Sequence, residues 1–439
     1  MGARELHARE SMLAPPMRVL AVGHLYPPHH FGGYELVWRS AMRHLERNGH
    51  QALVLTSDLD IGAAEPDDPN VRRELRLYWR PHHVIELGAL GRLRLERHNA
   101  RILDRYLRDF APDVVSWWSM SGVSLSLIER VYRAGLPAVA FVHDDWLDYG
   151  RHMDLWTRAF AGRWQRAAVL AERIAGVPTR VDLERAARYV FVSDTTRRRA
   201  AEAGIRPRET AIAHSGIDPR FIEPAPEKEW SWSLLHVGRI DERKGIHTAV
   251  AALTHLPPEA TLTIIGSWDE GESSRLRAIA ERNGVLERVR FEGQRSAARV
   301  WEAYAEADVV VFPVVWEEPW GLVPIEAMGR GRPVVATGRG GSGEYLRDNE
   351  NALLFEAGDA SGLADAVRRL PDDRGLRQRL LRGGLATARR HTEDVFNEAV
   401  LRELTRPPRR RPDPLRRGDP EEHGDCCEGS ERQELPEPD

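Results

Sequence analysis

Short β-branched, apolar runs alternate with helix-period patterns from Arg18 to about Arg390. This is the pattern of parallel strands joined by crossover helices. In the first half the runs are Arg18–Gly23, Gln51–Thr56, Asp113–Trp118, Pro137–His143, Arg188–Ser193 and Thr210–His214. Between the first two, Val37, Ala41 and Leu45 recur every four residues and Gly49 follows as a helix stop, so the unit is βαβ. The segment Glu223–Trp230 (EPAPEKEW) has two prolines, four charges and no apolar period, and reads as a linker. The alternation restarts with Ser233–Gly238, Thr261–Gly266, Arg288–Gly293, Asp308–Pro313, Pro333–Thr337 and Asn351–Phe355, with Ile246, Val250 and Leu253 marking the first helix of the second half.

The expected organisation is therefore α/β, with two Rossmann-like parallel-sheet domains facing each other across a cleft. A disordered extension (1–16) precedes a first domain (17–222), the linker (223–230) and a second domain (231–390). A helix (391–405) crosses back to the first domain, and a disordered tail (406–439) follows. The tail is rich in arginine and proline, then acidic, and holds too little apolar surface to order itself. Open parallel sheets bind ligands at the carboxyl ends of their strands, so two facing sheets can hold two substrates.

Composition narrows the classes. In 439 residues, 42% are hydrophobic and 30% charged, a globular balance. A formal net charge of −4 gives no general attraction to nucleic acid or anionic lipid, so no nucleic-acid partner is expected and membrane contact is not indicated. The only cysteines, Cys426 and Cys427, are adjacent near the end, which rules out a disulfide framework in the body and suits the cytoplasm. No apolar run approaches the roughly 20 residues of a membrane span.

Candidate chemistry gathers at strand ends. After the run VVVFP comes a turn, Glu317–Gly321, and then a helix start, Leu322-Val323-Pro324-Ile325-Glu326, with its proline where a first turn tolerates one. The open amides at Gly321, Leu322 and Val323 suit a diphosphate. Glu318 and Glu326 are too far apart to share one helix face, so they contact different parts of a ligand, or Glu326 merely complements the helix dipole. Arg239 and Lys244 follow the first strand of the second half, where two cations can neutralise a diphosphate or simply be solvated. Gly32 and Gly33 follow the first strand of the chain and permit close backbone approach, but no G-x-G-x-x-G is present. Glu35 either starts the helix or touches a ligand. His143 ends a buried strand, Asp144 and Asp145 follow it, and no metal site is identified. Gly340-Gly341-Ser342-Gly343-Glu344 reads as a phosphate loop or a plain turn. Trp117, Trp118, Trp146, Trp156 and Trp164 belong to the core, apart from one or two that could stack on a ring.

The Glu-x7-Glu spacing, with GLVPIEAM and GRPVVAT, resembles the retaining glycosyltransferase family 4 over about Met17–Arg390. FGGYE (Phe31–Glu35), VHDD (Val142–Asp145), HVGRIDERKG (His236–Gly245) and FEGQ (Phe291–Gln294) accompany it. Ser215-Gly216-Ile217-Asp218 departs from the family's Asn-Gly at that place. The resemblance implies a GT-B fold, the first domain serving the acceptor and the second a nucleotide sugar. It also implies sugar transfer with retention and a UDP-, GDP-, dTDP- or ADP-sugar co-substrate, with no other cofactor. In it, Glu318 contacts donor-sugar hydroxyls, Glu326 holds the ribose, Gly32 and Gly33 lie by the phosphates, and His143 lies near the reacting carbon. His143, Arg239, Lys244 and Glu318 are then the catalytic group. The acceptor would be a saccharide, a natural product or a lipid-linked molecule. The alternatives are another nucleotide-sugar enzyme (a pseudo-glycosyltransferase or epimerase) or a catalytically silent scaffold.

Overall fold

The computed structural model describes residues 15–30, 32–62, 66–80, 83–161, 165–267 and 270–407. Expectations for residues 1–14, Phe31, Trp164, and the tail from Pro408 with Cys426 and Cys427 lie outside the described residues.

In chain order the first half runs β1 (Arg18–Val22), α1 (Gly33–Arg47), β2 (Gln51–Ser57), β3 (Val71–Leu75), β4 (Trp79–Arg80), β5 (His83–Val84), α2 (Ala89–Asp109), β6 (Val114–Trp117), α3 (Ser126–Arg133), β7 (Ala138–Val142), α4 (Trp146–Met153), α5 (Leu155–Ala159), α6 (Gln165–Ala175), β8 (Arg188–Phe191), α7 (Asp194–Glu202) and β9 (Thr210–Ile212). The second half runs β10 (Ser233–Val237), α8 (Ile246–Ala252), β11 (Thr261–Ile265), α9 (Glu270–Arg282), β12 (Val289–Gly293), α10 (Ala297–Glu306), β13 (Val309–Phe312), α11 (Leu322–Gly329), β14 (Val334–Ala336), β15 (Leu353–Leu354), α12 (Ala360–Arg368), α13 (Arg374–Arg390) and α14 (Glu393–Thr405).

Two parallel sheets result, ordered β3-β2-β1-β6-β7-β8-β9 and β12-β11-β10-β13-β14-β15. Central strands such as VVVF of β13 are buried throughout, as a sheet covered on both faces requires. In each sheet the strand order reverses beside the first strand, between β1 and β6 and between β10 and β13. A crevice opens at such a reversal, beyond the carboxyl ends of the strands. Gly32 and Gly33 follow β1, Arg239 to Lys244 follow β10, and Glu318 follows β13. Most of the candidate residues therefore converge on the two crevices.

The chain crosses between the halves twice, side by side. Going out, Ile217 N–H donates to His391 O (2.9 Å); coming back, Glu393 N–H donates to Ile217 O (2.8 Å). The contact is so close that a Cβ at Gly216 would sit 2.0 Å from the Thr392 carbonyl carbon. Residues 223–230 have no regular structure, and they are tied down to the second half. Ala225 N–H donates to Arg330 O (3.0 Å) and Lys228 pairs with Asp308 (2.8 Å). After the return crossing, α14 lies on α1 and places Phe396, Val400 and Leu404 in the same apolar cluster as Val37, Trp38 and Leu45. Among the described residues no helix is long and apolar enough to cross a membrane.

Candidate active site

The turn before α11 forces a glycine at its start. Gly321 has φ 87°, and a Cβ there would lie 3.0 Å from Phe312 Cζ. No side chain caps α11, so its first amides stay open. Opposite stands the start of α1, where the position of a Gly33 Cβ would be 3.6 Å from Leu322 Cδ1. Gly33 and Leu322, expected from sequence to serve one ligand, thus face each other. Glu35 turns back on its own helix, its Oε2 accepting from Gly32 N–H (3.2 Å), which resolves its role as an N-terminal cap. Val323 packs partly buried against the second-half core.

Glu318 is buried, and its Oε2 accepts from Lys244 Nζ (2.7 Å) and from Trp316 Nε1 (2.8 Å). The two residues assigned to sugar and diphosphate therefore hold each other. Glu326 points elsewhere and accepts from the Tyr304 hydroxyl (2.7 Å), its carboxyl pushed up by burial. Arg239 is half exposed, 3.7 Å from Asp241. Asp241 is held at about 2, chiefly by the hydrogen bond from Arg243. The Trp316 ring has three cations around it: Arg243 at 4.5 Å, Lys244 at 5.7 Å and Arg199 at 5.8 Å. Cations over an aromatic face are attracted by its quadrupole. Acids match them, because Asp145 pairs with Arg199 at 2.7 Å and Asp241 with Arg243 at 2.7 Å.

His143 sits in an aromatic box, its ring centre 4.8 Å from Tyr34, 5.8 Å from Trp118 and 5.4 Å from Phe396. Both ring nitrogens are buried without a hydrogen-bond partner. Burial pushes its pKa to about 3, so the imidazole is neutral. Next to it Asp144 accepts from the Tyr149 hydroxyl (2.7 Å) and the Trp146 amide (3.0 Å), and burial pushes it up to about 6. Trp117, Trp118, Trp146 and Trp156 are all core residues.

Sequence reasoning missed Trp316, Arg243, Arg199 and Tyr304. Trp316 ends an apolar run that reads as a strand exit, and Arg199 lies in a helix far along the chain whose meeting with the Glu317 turn no local pattern announces. Arg243 was visible inside HVGRIDERKG, where Arg239 and Lys244 drew the attention.

Comparison with known proteins agrees with this architecture. The sequence pattern of Glycosyltransferase Family 4 matches residues 31–221 and that of Glycosyl transferases group 1 matches residues 218–384. A lipopolysaccharide core biosynthesis glycosyltransferase (LpsE) of Rhizobium meliloti is 35% identical over 40% of this chain and 50% of its own. The phosphatidyl-myo-inositol mannosyltransferase of Mycobacterium leprae is 33% identical over 48% of this chain and 57% of its own. The chain thus spans about half the length of these curated relatives. Among solved structures, sucrose-phosphate synthase from Thermosynechococcus elongatus superposes with a TM-score of 0.67 at 20% identity, covering 88% of this chain and 98% of its own. Anabaena HepE in complex with UDP and glucose gives 0.64 at 21% identity, covering 89% and 99%. The two family patterns, contiguous over both halves, and the paired parallel sheets make this chain a member of glycosyltransferase family 4 with the GT-B fold.

Proposed function

We propose that this chain transfers a glycosyl group from a nucleotide sugar to an acceptor hydroxyl with retention of configuration. The observation that carries the reading is the Lys244–Glu318 pair under Trp316, beside the uncapped start of α11 and opposite Gly33. In this reading the diphosphate lies over the amides of Gly321, Leu322 and Val323, close to Gly32 and Gly33. Glu326 takes the ribose, Glu318 takes sugar hydroxyls, and neutral His143 lines the sugar near its reacting carbon. As the sugar–phosphate bond breaks, negative charge grows on the leaving diphosphate. Lys244 and Arg239 stabilise it most in the transition state, which is what lowers a barrier. The acceptor oxygen bonds the anomeric carbon on the face the phosphate leaves, and its proton passes to the departing phosphate oxygen.

Anabaena HepE is solved in complex with UDP and with UDP-glucose, which puts UDP-sugars first among the donors to test. The relatives include a lipopolysaccharide core biosynthesis glycosyltransferase and a phosphatidyl-myo-inositol mannosyltransferase, which puts a lipid-linked saccharide first among acceptors. The experiment is a thermal-shift screen of UDP-, GDP-, dTDP- and ADP-sugars, then NMR of the anomeric centre in the product. A donor at one hundred times its dissociation constant stabilises by about 2.7 kcal/mol. An inverted product overturns retention, and no response to any nucleotide overturns the donor site.

A further inference from the structure

The Gly340–Glu344 loop, which sequence leaves as a phosphate loop or a turn, is a single 3-10 turn that also links the two halves. Its Glu344 reaches into the first half and accepts from the first amides of α7, Thr195 N–H at 2.8 Å and Asp194 N–H at 3.1 Å. Ser193 caps Thr196 N–H (3.0 Å), so side chains of both halves share the orphan donors of one helix start. A carboxylate there also meets the positive end of the helix. One turn along α7, Arg199 pairs with Asp145 (2.7 Å) and donates to Glu317 O across the cleft (3.0 Å).

The same loop grips the turn that carries Glu318. Gly341 N–H donates to Glu318 O (2.6 Å). A Cβ at Gly340 would lie 2.4 Å from Glu318 O, and one at Gly341 would lie 2.0 Å from Pro319 O and 3.0 Å from Ser193 Cβ. No side chain fits between α7, the loop and the turn. The three are one stack, the loop lying between the start of α7 and the turn that carries Glu318.

We propose that Glu344 and Arg199 are positioning residues: closure of the two halves docks the Gly340–Glu344 loop and the Glu317–Pro319 turn on α7, which aims Glu318 at the donor sugar. The inference rests on the donor reading given above for Glu318. It makes the sugar end of the donor site depend on the first half, while the ribose end, at Glu326 beside Tyr304, belongs to the second half.

The test compares wild type with Glu344→Ala, Arg199→Ala and the isosteric Glu344→Gln, using the nucleotide selected by the thermal-shift screen. Transfer kcat falls about tenfold or more in both alanine variants, the scale of a lost charge-assisted hydrogen bond, and by less in Glu344→Gln. Calorimetric affinity for the free nucleoside diphosphate falls by less than kcat does, because Glu326 and the amides of Gly321, Leu322 and Val323 are untouched and only the approach of Gly32 and Gly33 is weakened. Small-angle scattering without ligand gives a larger radius of gyration for the alanine variants. Wild-type kcat in a folded Glu344→Ala overturns the inference, as does nucleotide affinity falling in step with kcat. Should an alanine variant fail to fold, Glu344→Gln decides on the same readouts. If wild type binds no nucleotide, the donor reading fails; the scattering arm then judges the clasp alone, and equal radii for wild type and variant overturn it.

Discussion

At the scale of single residues the candidate site is a balanced set of charges rather than a row of free cations. Lys244 is bonded to Glu318, so a diphosphate has to draw Lys244 partly away from it. On the proposed donor reading, removing Lys244 costs twice: the leaving group loses a cation and Glu318 loses the partner that orients it. Lys244→Ala therefore lowers turnover by roughly two to three orders of magnitude, and Lys244→Arg restores only part, since a planar fork cannot replace a point charge. Initial rates in excess EDTA check this. Wild-type activity abolished by EDTA and restored by Mg²⁺, together with a nearly active Lys244→Ala, would replace the two cations by a metal. The two glutamates separate by the same logic. Glu326 is half-buried and bonded to Tyr304 rather than to Lys244, so on the proposed reading Glu326→Ala weakens free nucleoside diphosphate more than Glu318→Ala does, and Glu318→Ala acts on turnover. Calorimetry reads the difference, and equal affinity for wild type and Glu326→Ala removes the ribose assignment. The types and spacing of these residues were legible in GLVPIEAM and HVGRIDERKG. Their pairing was not, because Lys244 and Glu318 are 74 positions apart and meet only when β10 and β13 lie side by side.

At the scale of elements, legibility followed burial. Strands buried on both faces, such as RVLAV of β1, announce themselves as apolar runs. Edge strand β3 (VRREL) was missed because it keeps only its two ends buried and spends its middle on charge. The crossing was also displaced from expectation. Two prolines drew attention to 223–230, yet that segment is fastened to Arg330 and Asp308, and the paired segments around Ile217 and Thr392 join the halves. The return crossing delivers α14 to the first half, where Asn397 Nδ2 donates to Ser40 Oγ (3.0 Å) and Ser40 donates to Glu393 (2.7 Å). Phe396 is 1% exposed and edges onto His143. Phe396→Ala therefore costs about 3–5 kcal/mol, the range for a buried aromatic truncated to alanine. Urea unfolding followed by fluorescence measures it, and a loss below about 1 kcal/mol means that α14 is only loosely seated.

At the scale of the whole molecule, burial of ionisable groups sets how stability follows pH, and two sets of groups pull in opposite directions. His236 is wholly buried, as are the ring nitrogens of His143, and His24 is nearly so; burial pushes His24, His143 and His236 from 6.5 to about 4, 3 and 4. Each is neutral in the folded chain and takes a proton in the unfolded chain below pH 6.5. Its contribution is complete above 6.5 and is lost as pH falls from 6.5 toward the folded value. Asp144 behaves the other way, pushed up by burial to about 6, and burial beside Asp154 raises Glu96 as well. Between the unfolded value and the folded one, the folded chain holds the extra proton. Their contribution is complete at low pH and is lost as pH rises through the folded value. In the window from pH 4.5 to 6 the two sets partly cancel, so single substitutions reveal what the wild-type curve hides. Asp144→Asn removes an opposing group and makes stability fall more steeply on acidification, by about 1.4 kcal/mol per pH unit. His236→Asn removes a group of the first kind and flattens the fall by a similar amount. Urea titrations at pH 6.0, 5.5, 5.0 and 4.5 give the slopes, with the m-value checking that the unfolded reference is unchanged. Slopes that move in the same direction in both variants, or not at all, mean that these groups are not held in the protonation states their burial dictates.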